Sequence, residues 1–241
     1  MKIIIAMAGR GKRFTENGYE LYPKPLCRVG CTTMIHESVR SFGVLGKYIF
    51  IVLQEHLDNF KWLYDHLMAL AEDVIIIPIK NVTEGAACSI LAAKDYIYDN
   101  DPIVSINSDQ VLNWNYQNFI DLCRNHPNIS FLATYPHDHP KHSFAKVTDK
   151  DLVISVAEKK VISNEATVGI YHFSQGKIFV DCAEEMIKNN DRHNNEFYIG
   201  PVYNYVCKKY PVKIFRMHPR EFMPVGTIED LNQYNMKYYD G

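Results

Sequence analysis

The sequence predicts an α/β fold, a single domain built on a doubly wound, mixed but mainly parallel sheet. Three observations predict it. Short runs rich in β-branched residues alternate with longer stretches of helical spacing, the pattern of parallel strands joined by right-handed crossovers. The first of these runs, IIIAM at 3–7, breaks straight into a glycine loop, as a buried strand does where it leaves a sheet. The 241 residues are 47% hydrophobic, enough for one large globular unit, and no repeat, low-complexity tract or linker divides them.

Taken in order, residues 2–7 read as a buried strand because the apolar run is continuous, not alternating. A helix is expected over 33–41. The β-rich run YIFIVL at 48–53 gives a second strand, and 56–71 has helical spacing. VIIIP at 74–78 gives a third strand. Residues 85–98 are helical, with small residues on the first turn. PIVSI at 102–106 is a fourth strand ending at Asn107-Ser108-Asp109, followed by a helix over 115–125. The remainder is more mixed, with strands at 131–135, 145–147, 153–157, 167–173 and 213–217 and helices at 177–189 and 197–208. Ligands collect at the carboxyl ends of the strands of such sheets, which singles out the loops 8–18, 54–56, 80–86 and 107–111.

Bulk properties exclude several classes. A formal charge of −2 gives no basic field suited to nucleic acid, although a local cluster can serve a small anion. The six cysteines form no CxxC pair, since Cys27 and Cys31 are four apart. Scattered in this way they act as small apolar residues in a reducing compartment. The N-terminal apolar run is too short for a secretory signal, and no run reaches the ~18 apolar residues that span a bilayer. A cytoplasmic protein without a membrane partner is the expectation.

The loop after the first strand reads Gly9-Arg10-Gly11-Lys12-Arg13-Phe14. It is neither GxGxxG nor a Walker A loop. The physics is shared, because glycines let the backbone approach an anion and aim N–H groups at it, and cations add charge-assisted contacts. Tyr22-Pro23-Lys24-Pro25-Leu26 follows. Its two prolines hold Lys24 in a segment with little freedom, which suits a lysine aimed at a ligand.

A strand followed by AGxGxRF and then PKPL resembles the nucleotidylyltransferase family, the nucleotide-diphospho-sugar transferases of Rossmann-like, GT-A-like fold. It is similar in particular to the small members associated with capsule and surface-polysaccharide synthesis. The resemblance spans nearly the whole chain and implies a nucleotide-binding half at 1–115 and an acceptor-binding half at 116–241. It implies that a nucleoside triphosphate is joined to a sugar phosphate or similar phosphate with release of pyrophosphate. On it, Arg13 takes the β and γ phosphates, Lys24 stabilises charge at the α-phosphoryl group, and Asp109 holds Mg²⁺. Nucleotide contacts are expected from Ala8, Gly9, Gly11, Lys12, Arg13, Lys24, Glu84, Gly85, Ala86, Ser89, Asn107 and Ser108, the base lying on the backbone around Gly85. The same segment also reads as a helix start capped by Thr83.

Glu158-Lys159-Lys160, Ser163-Asn164 and Gly169-Ile170-Tyr171 resemble the family's EKP, SN and GIY segments, with Lys160 in place of proline. The resemblance gives acceptor hydroxyls to Glu158 and acceptor phosphate to Lys159, with Ala145, Asn164, Gly169, Tyr171 and Glu196 completing the pocket. Asn195-Glu196-Phe197-Tyr198 has asparagine where the family has glycine. The stretch Phe222 to Leu231 (FMPVGTIEDL) departs most. Pro224 stands where the family often has a second metal-binding aspartate, leaving Glu221 as a neighbour to consider. His137, His139 and His142 lie in a polar loop with no fourth ligand, so a turn over the acceptor is expected there, not a zinc site. The aromatic tail at 234–239 is expected to dock on the core or on a second subunit, and a homo-oligomer is an expectation from the family. The nucleotide expected is a pyrimidine, CTP before UTP or dTTP. Two other functions fit the same fold. One is a glycosyltransferase using a nucleotide sugar, although Ser108-Asp109-Gln110 is not the DxD pair it wants. The other is a nucleotide-binding protein without catalysis, which Pro224 favours.

Overall fold

The computed structural model describes residues 1–11, 14 and 22–239. Its centre is a nine-stranded sheet built by β1 (Lys2–Ala6), β4 (Lys47–Leu53), β5 (Asp73–Ile79), β6 (Ile103–Ile106), β8 (Ser130–Pro136), β9 (Phe144–Val147), β10 (Val153–Ala157), β11 (Glu165–Phe173) and β12 (Val212–Arg216). The order β10-β9-β11-β6-β1-β4-β5 carries β8 on β11 and β12 on β8. Strands β5, β4, β1 and β6 run parallel, and β11 enters antiparallel against β6. The sheet is mixed, as expected.

The pleat explains why the first strand is apolar throughout. Ile3 and Ile5 point to one face and Ile4 to the other, all fully buried, at about 2 kcal/mol of hydrophobic stabilisation each. The face of Ile3 is covered by α1 (Met34–Phe42), by Leu63 and Leu67 of α3 (Leu63–Met68) and by α6 (Tyr116–Asn125). The face of Ile4 is covered by α4 (Ala86–Leu91), α5 (Lys94–Ile97), α7 (Gly176–Lys188) and α8 (Ile199–Val206). Among the described residues no helix is long and apolar enough to cross a membrane.

Two expected helices are shorter than their spacing suggests. The stretch 56–71 divides into α2 (Gln54–Asn59) and α3, because Phe60 leaves helical geometry at φ −118°, ψ 79°. The stretch 85–98 divides into α4 and α5 at Ala92 and Ala93, whose N–H groups bond three residues back, to Ser89 and Ile90. Thr83 does not cap α4. Gly85 is the cap residue, and the Thr83 hydroxyl instead donates to the Gly85 carbonyl at 2.9 Å.

A third, smaller core lies at the carboxyl end of the parallel strands. It joins Phe14, Cys27, Val29, Met34, Val111, Val225, Leu231 and Tyr234. Val29 lies in the hairpin β2 (Arg28–Val29) and β3 (Thr32–Thr33), Met34 in α1, Val111 in the ribbon β7 (Gln110–Leu112) and β13 (Phe222–Pro224), Val225 just after that ribbon, and Leu231 and Tyr234 in α9 (Ile228–Tyr238). Helix α9 carries the aromatic tail, which docks on this chain. The Tyr239 ring lies directly over Gly30, and Asn235 Oδ1 accepts from the Gly30 N–H at 3.0 Å. This small core fixes the segments that carry Lys24 and Asp109.

Candidate active site

Two cavities meet at the carboxyl ends of β1 and β6. One, of about 810 Å³, is lined among the described residues by Gly9, Arg10, Gly11 and Phe14, by Asn81 and Val82, and by Lys24, Lys159, Glu196, Tyr198 and Gly226. The other, of about 380 Å³, runs over Asn107, Ser108, Asp109 and Gln110 to Glu158, Thr167, Gly169 and Tyr171. Lys24, Tyr198 and Gly226 line both.

Lys24 opens a single 3₁₀ turn whose first residues are set by Pro23 and Pro25, and the Cys27 N–H closes it onto the Lys24 carbonyl at 3.0 Å. Gly11, at φ +61°, packs on it. A methyl there would stand 2.7 Å from Lys24 Cβ, so a side chain at position 11 would push the loop off the lysine. The Lys24 ammonium reaches Asp109 Oδ2 at 2.6 Å, with both side chains about one quarter exposed. It also lies 5.3 Å from the centre of the buried Phe14 ring. The Val225 N–H donates to the Asp109 carbonyl at 3.0 Å, and Gly226 leaves the space beside the pair open.

The smaller cavity is built around a break in β11. Its pairing with β8 shifts register between Thr167 and Tyr171, and Gly169 sits in that interval at φ +74°. A side chain at position 169 would strike the Asn107 amide and Gln110 Oε1, within 2.7 Å of each. Glu158 is buried and accepts from the Ser143 hydroxyl. Burial holds its carboxyl above the usual range, opposed by that hydroxyl and by Lys159. Lys159 turns the other way, in a left-handed conformation at φ +52°. Its N–H bonds the His142 carbonyl, and its ammonium meets the Tyr198 hydroxyl at 3.1 Å.

Of the residues expected at the site, Gly9, Gly11, Lys24, Lys159 and Glu196 line the larger cavity. Lys24, Ala86, Asn107, Ser108, Asp109, Glu158, Gly169 and Tyr171 line the smaller. Ala86, Asn107 and Ser108 thus face the cavity expected for the acceptor, while Lys159 and Glu196 face the other. Lys12 and Arg13 lie outside the described residues.

The others line neither cavity, each for a visible reason. Ala8 is buried in the core on the face of Ile4. Glu84 is drawn to Arg192 at 3.1 Å, and Arg192 stacks 4.3 Å over Phe197. Gly85 is covered by the backbone of Phe197, whose N–H donates to the Glu84 carbonyl at 2.7 Å. The Ser89 hydroxyl bonds Thr83 at 2.7 Å. Ala145 is fully buried, and its carbonyl accepts from the Ser163 hydroxyl. The Asn164 carbonyl accepts from the His137 N–H.

Several residues at the site were not expected from sequence. Gln110 is 2% exposed, and its amide oxygen and nitrogen have no hydrogen-bond partner among the described residues. Lys141 and Asp230 pair at 3.0 Å on the wall of the smaller cavity. The S/T-x-x-D pattern of Thr227 to Asp230 signals a helix start, and Thr227 does cap α9. The asparagine at 195 is explained by geometry. Asn194 and Asn195 form the tip of a tight turn at φ +48° and +64°, which asparagine tolerates better than most residues.

The described residues do not fit a metal held by the protein alone. Among them no three His, Cys, Asp or Glu side chains come together as a metal-holding group. Pro224 lies directly opposite Gln110 in the β7–β13 ladder and offers no ligand. Glu221 caps its own 3₁₀ turn through the His218 N–H at 2.7 Å. The histidine loop is engaged in its own structure. Nδ1 of His137 and of His139 accept from backbone N–H groups, and His142 Nε2 meets the Tyr135 hydroxyl at 2.9 Å. Lys141 and His142 from that loop line the smaller cavity.

The comparisons with known proteins show the family and the fold. The chain belongs to the nucleotidyl transferase family, whose model matches residues 2–241. Its chemistry is nucleotidyl transfer, yielding a nucleotide-linked product. A nucleoside-diphosphate-sugar pyrophosphorylase from Vibrio cholerae RC9 has the same fold, with a TM-score of 0.84 at 24% identity over 96% of this chain and 98% of that one. A putative glucose-1-phosphate thymidylyltransferase from Bacillus anthracis gives 0.79 at 20% identity, covering 100% and 96%. The inositol-1-phosphate CTP transferase of T. maritima gives 0.74 at 15% identity, covering 98% and 94%. No curated protein matches the chain.

Proposed function

We propose that this enzyme condenses a pyrimidine nucleoside triphosphate, CTP before UTP or dTTP, with a sugar or polyol phosphate. The products are the nucleotide-linked sugar or polyol and pyrophosphate, for the assembly of capsule or other surface polysaccharide. The observation that carries the reading is the position of Lys24, whose side chain lies where the two cavities join and beside Asp109. The glycine-loop cavity would take the triphosphate and the smaller one the body of the acceptor, so that the acceptor's phosphate meets the α-phosphorus at the junction. The nucleotide-binding work falls mainly on residues 1–115 and the acceptor-binding work mainly on residues 116–241. Asp109 would hold a Mg²⁺ ion brought with the triphosphate, which would supply charge neutralisation at the phosphates.

A phosphate oxygen is already a competent nucleophile and needs no general base. It attacks the α-phosphorus in line as the bond to pyrophosphate breaks. Rate enhancement then comes from positioning and from cations fixed where negative charge gathers. The backbone of Lys24 is held in place by two prolines and by Gly11. Arg13 is assigned the β and γ phosphates. Glu158, buried beside Ser143, suits an acceptor rich in hydroxyls, because a buried carboxylate needs donors. A homo-oligomer that binds no nucleic acid completes the proposal.

A panel of sugar and polyol phosphates crossed with four triphosphates, read by pyrophosphate release, tests this. Fastest release with a pyrimidine triphosphate and a polyhydroxylated phosphate is expected. Release with a purine triphosphate only would overturn the choice of base. Triphosphate binding without release from any pair would favour the non-catalytic reading that Pro224 suggests.

A further inference from the structure

We infer that this protein admits its divalent cation only as part of the metal–triphosphate complex, and that Lys24 and Asp109 form a latch which the complex opens. The inference rests on the nucleotidyl-transfer reading of the site and deepens it.

The argument starts from charge. In the free protein the Asp109 carboxylate is engaged by the Lys24 ammonium at 2.6 Å, in a partly desolvated position. A lone hydrated cation approaching that pair meets a carboxylate already neutralised, with a lysine beside it that repels the ion. A second carboxylate would restore a net negative charge. Among the described residues, the two other carboxylates that line the cavity of Asp109 are already engaged. Position 224 is proline, Glu158 accepts from Ser143, Asp230 is paired with Lys141, and Glu221 caps its own turn. Mg²⁺ tolerates one protein carboxylate when substrate phosphates and waters fill its octahedron, but not readily before they arrive.

The metal–triphosphate complex is different, because it remains an anion overall and presents both signs. Its phosphate oxygens attract the Lys24 ammonium, and its cation attracts the Asp109 carboxylate. One exchange of partners replaces the single ion pair by two contacts of opposite polarity, and it frees the lysine for the α-phosphoryl group only when substrate is present. The space for this exchange is provided by Gly226. A methyl there would stand 3.0 Å from Asp109 Oδ2 and 3.6 Å from Lys24 Nζ.

The test uses Mn²⁺ as a spectroscopic probe, titrated into the full chain and followed by electron paramagnetic resonance. The wild-type protein alone is expected to show no stoichiometric site, and to acquire one when an α,β-methylene CTP analogue is added. Pro224→Asp should bind Mn²⁺ without nucleotide at least about tenfold more tightly than wild type, because the site gains a charged oxygen ligand. Lys24→Met should gain affinity in the same direction by releasing Asp109, so a Pro224→Asp chain that fails to fold does not remove the test. Stoichiometric binding of Mn²⁺ to the wild-type protein alone, as tight as to either variant, would overturn the inference. Metal titration needs no turnover. Failure of the functional reading would instead appear as no pyrophosphate release from wild-type protein across the substrate panel.

Discussion

Gly85 packs against the backbone of Phe197, and a side chain at that position carries a measurable cost. Its φ of +130° and ψ of 171° belong to a region that residues with a side chain enter only under strain, at about 1–3 kcal/mol. A methyl at position 85 would also stand 2.5 Å from the Phe197 nitrogen and closer still to its carbonyl oxygen. Neither atom is the end of a flexible side chain, so the backbone must shift by roughly 1 Å to reach an ordinary contact. That shift strains two hydrogen bonds, Phe197 N–H to Glu84 at 2.7 Å and Ala87 N–H to Phe197 at 3.0 Å, each worth about 1 kcal/mol. Gly85→Ala should therefore lower folding stability by about 4 kcal/mol, and Tm by about 10 °C for a chain of this length. Calorimetry reads the Tm, and urea unfolding with an unchanged m-value confirms a loss of stability and not a change of mechanism. A variant melting within about 2 °C of wild type would refute the packing of this glycine against Phe197.

Other perturbations separate chemistry from architecture. Lys24→Met should lower kcat for pyrophosphate release by about 10²-fold with a smaller change in KM, as loss of a preorganised charge does (~3 kcal/mol); an unchanged kcat would remove Lys24 from the reaction. His172 is fully buried between Phe119 and Phe131, and burial pushes its imidazole down to about 3 from an ordinary 6.5. The unfolded chain takes up that proton first, so stability falls by up to about 1.4 kcal/mol per unit as pH drops from 6.5 towards 3. Urea midpoints across that range should lose this slope in His172→Phe. Glu158 behaves with the opposite sign. Burial raises its carboxyl above 4.5, so its contribution is fully present below that pH and is lost as pH rises through the folded value. Glu158→Gln should be at least as stable as wild type at pH 7, while losing acceptor affinity in the pyrophosphate assay.

The part of this molecule that could be read from sequence is the part governed by short-range physics. The runs at 48–53, 74–78 and 102–106 are rich in β-branched and aromatic residues, and the strands formed there, Lys47–Leu53, Asp73–Ile79 and Ile103–Ile106, differ only at their ends. Gly11 and the prolines around Lys24 carry their constraint in their own covalent structure, so the encounter of that lysine with Asp109, 85 positions away, follows once the parallel order is accepted. Helix ends were less legible. Phe60 stops one helix and Ala93 bends another, and neither residue is a breaker by type. Strands β7 and β13, of three residues each, are too short to show a period, yet they put Pro224 opposite Gln110.

Side-chain contacts that cross the chain were not legible at all, and they decide the division of labour at the site. The pairs Glu84–Arg192 and Lys141–Asp230 are separated by 108 and 89 positions. No local pattern encodes them, yet one pairs Glu84, expected at the nucleotide, with Arg192, and the other stands on the wall of the smaller cavity. The departure at 224 shows how the two kinds of information combine. Sequence alone reports a missing carboxylate and leaves open whether the site is broken. The coordinates show that the remaining carboxylate is paired with the lysine assigned to the α-phosphoryl group. The pair itself thereby carries no net charge until an anion arrives. A second aspartate there would give the free site a standing attraction for cations and oppose the triphosphate. On this argument proline at 224 shifts metal entry to the nucleotide and leaves nucleotidyl transfer in place.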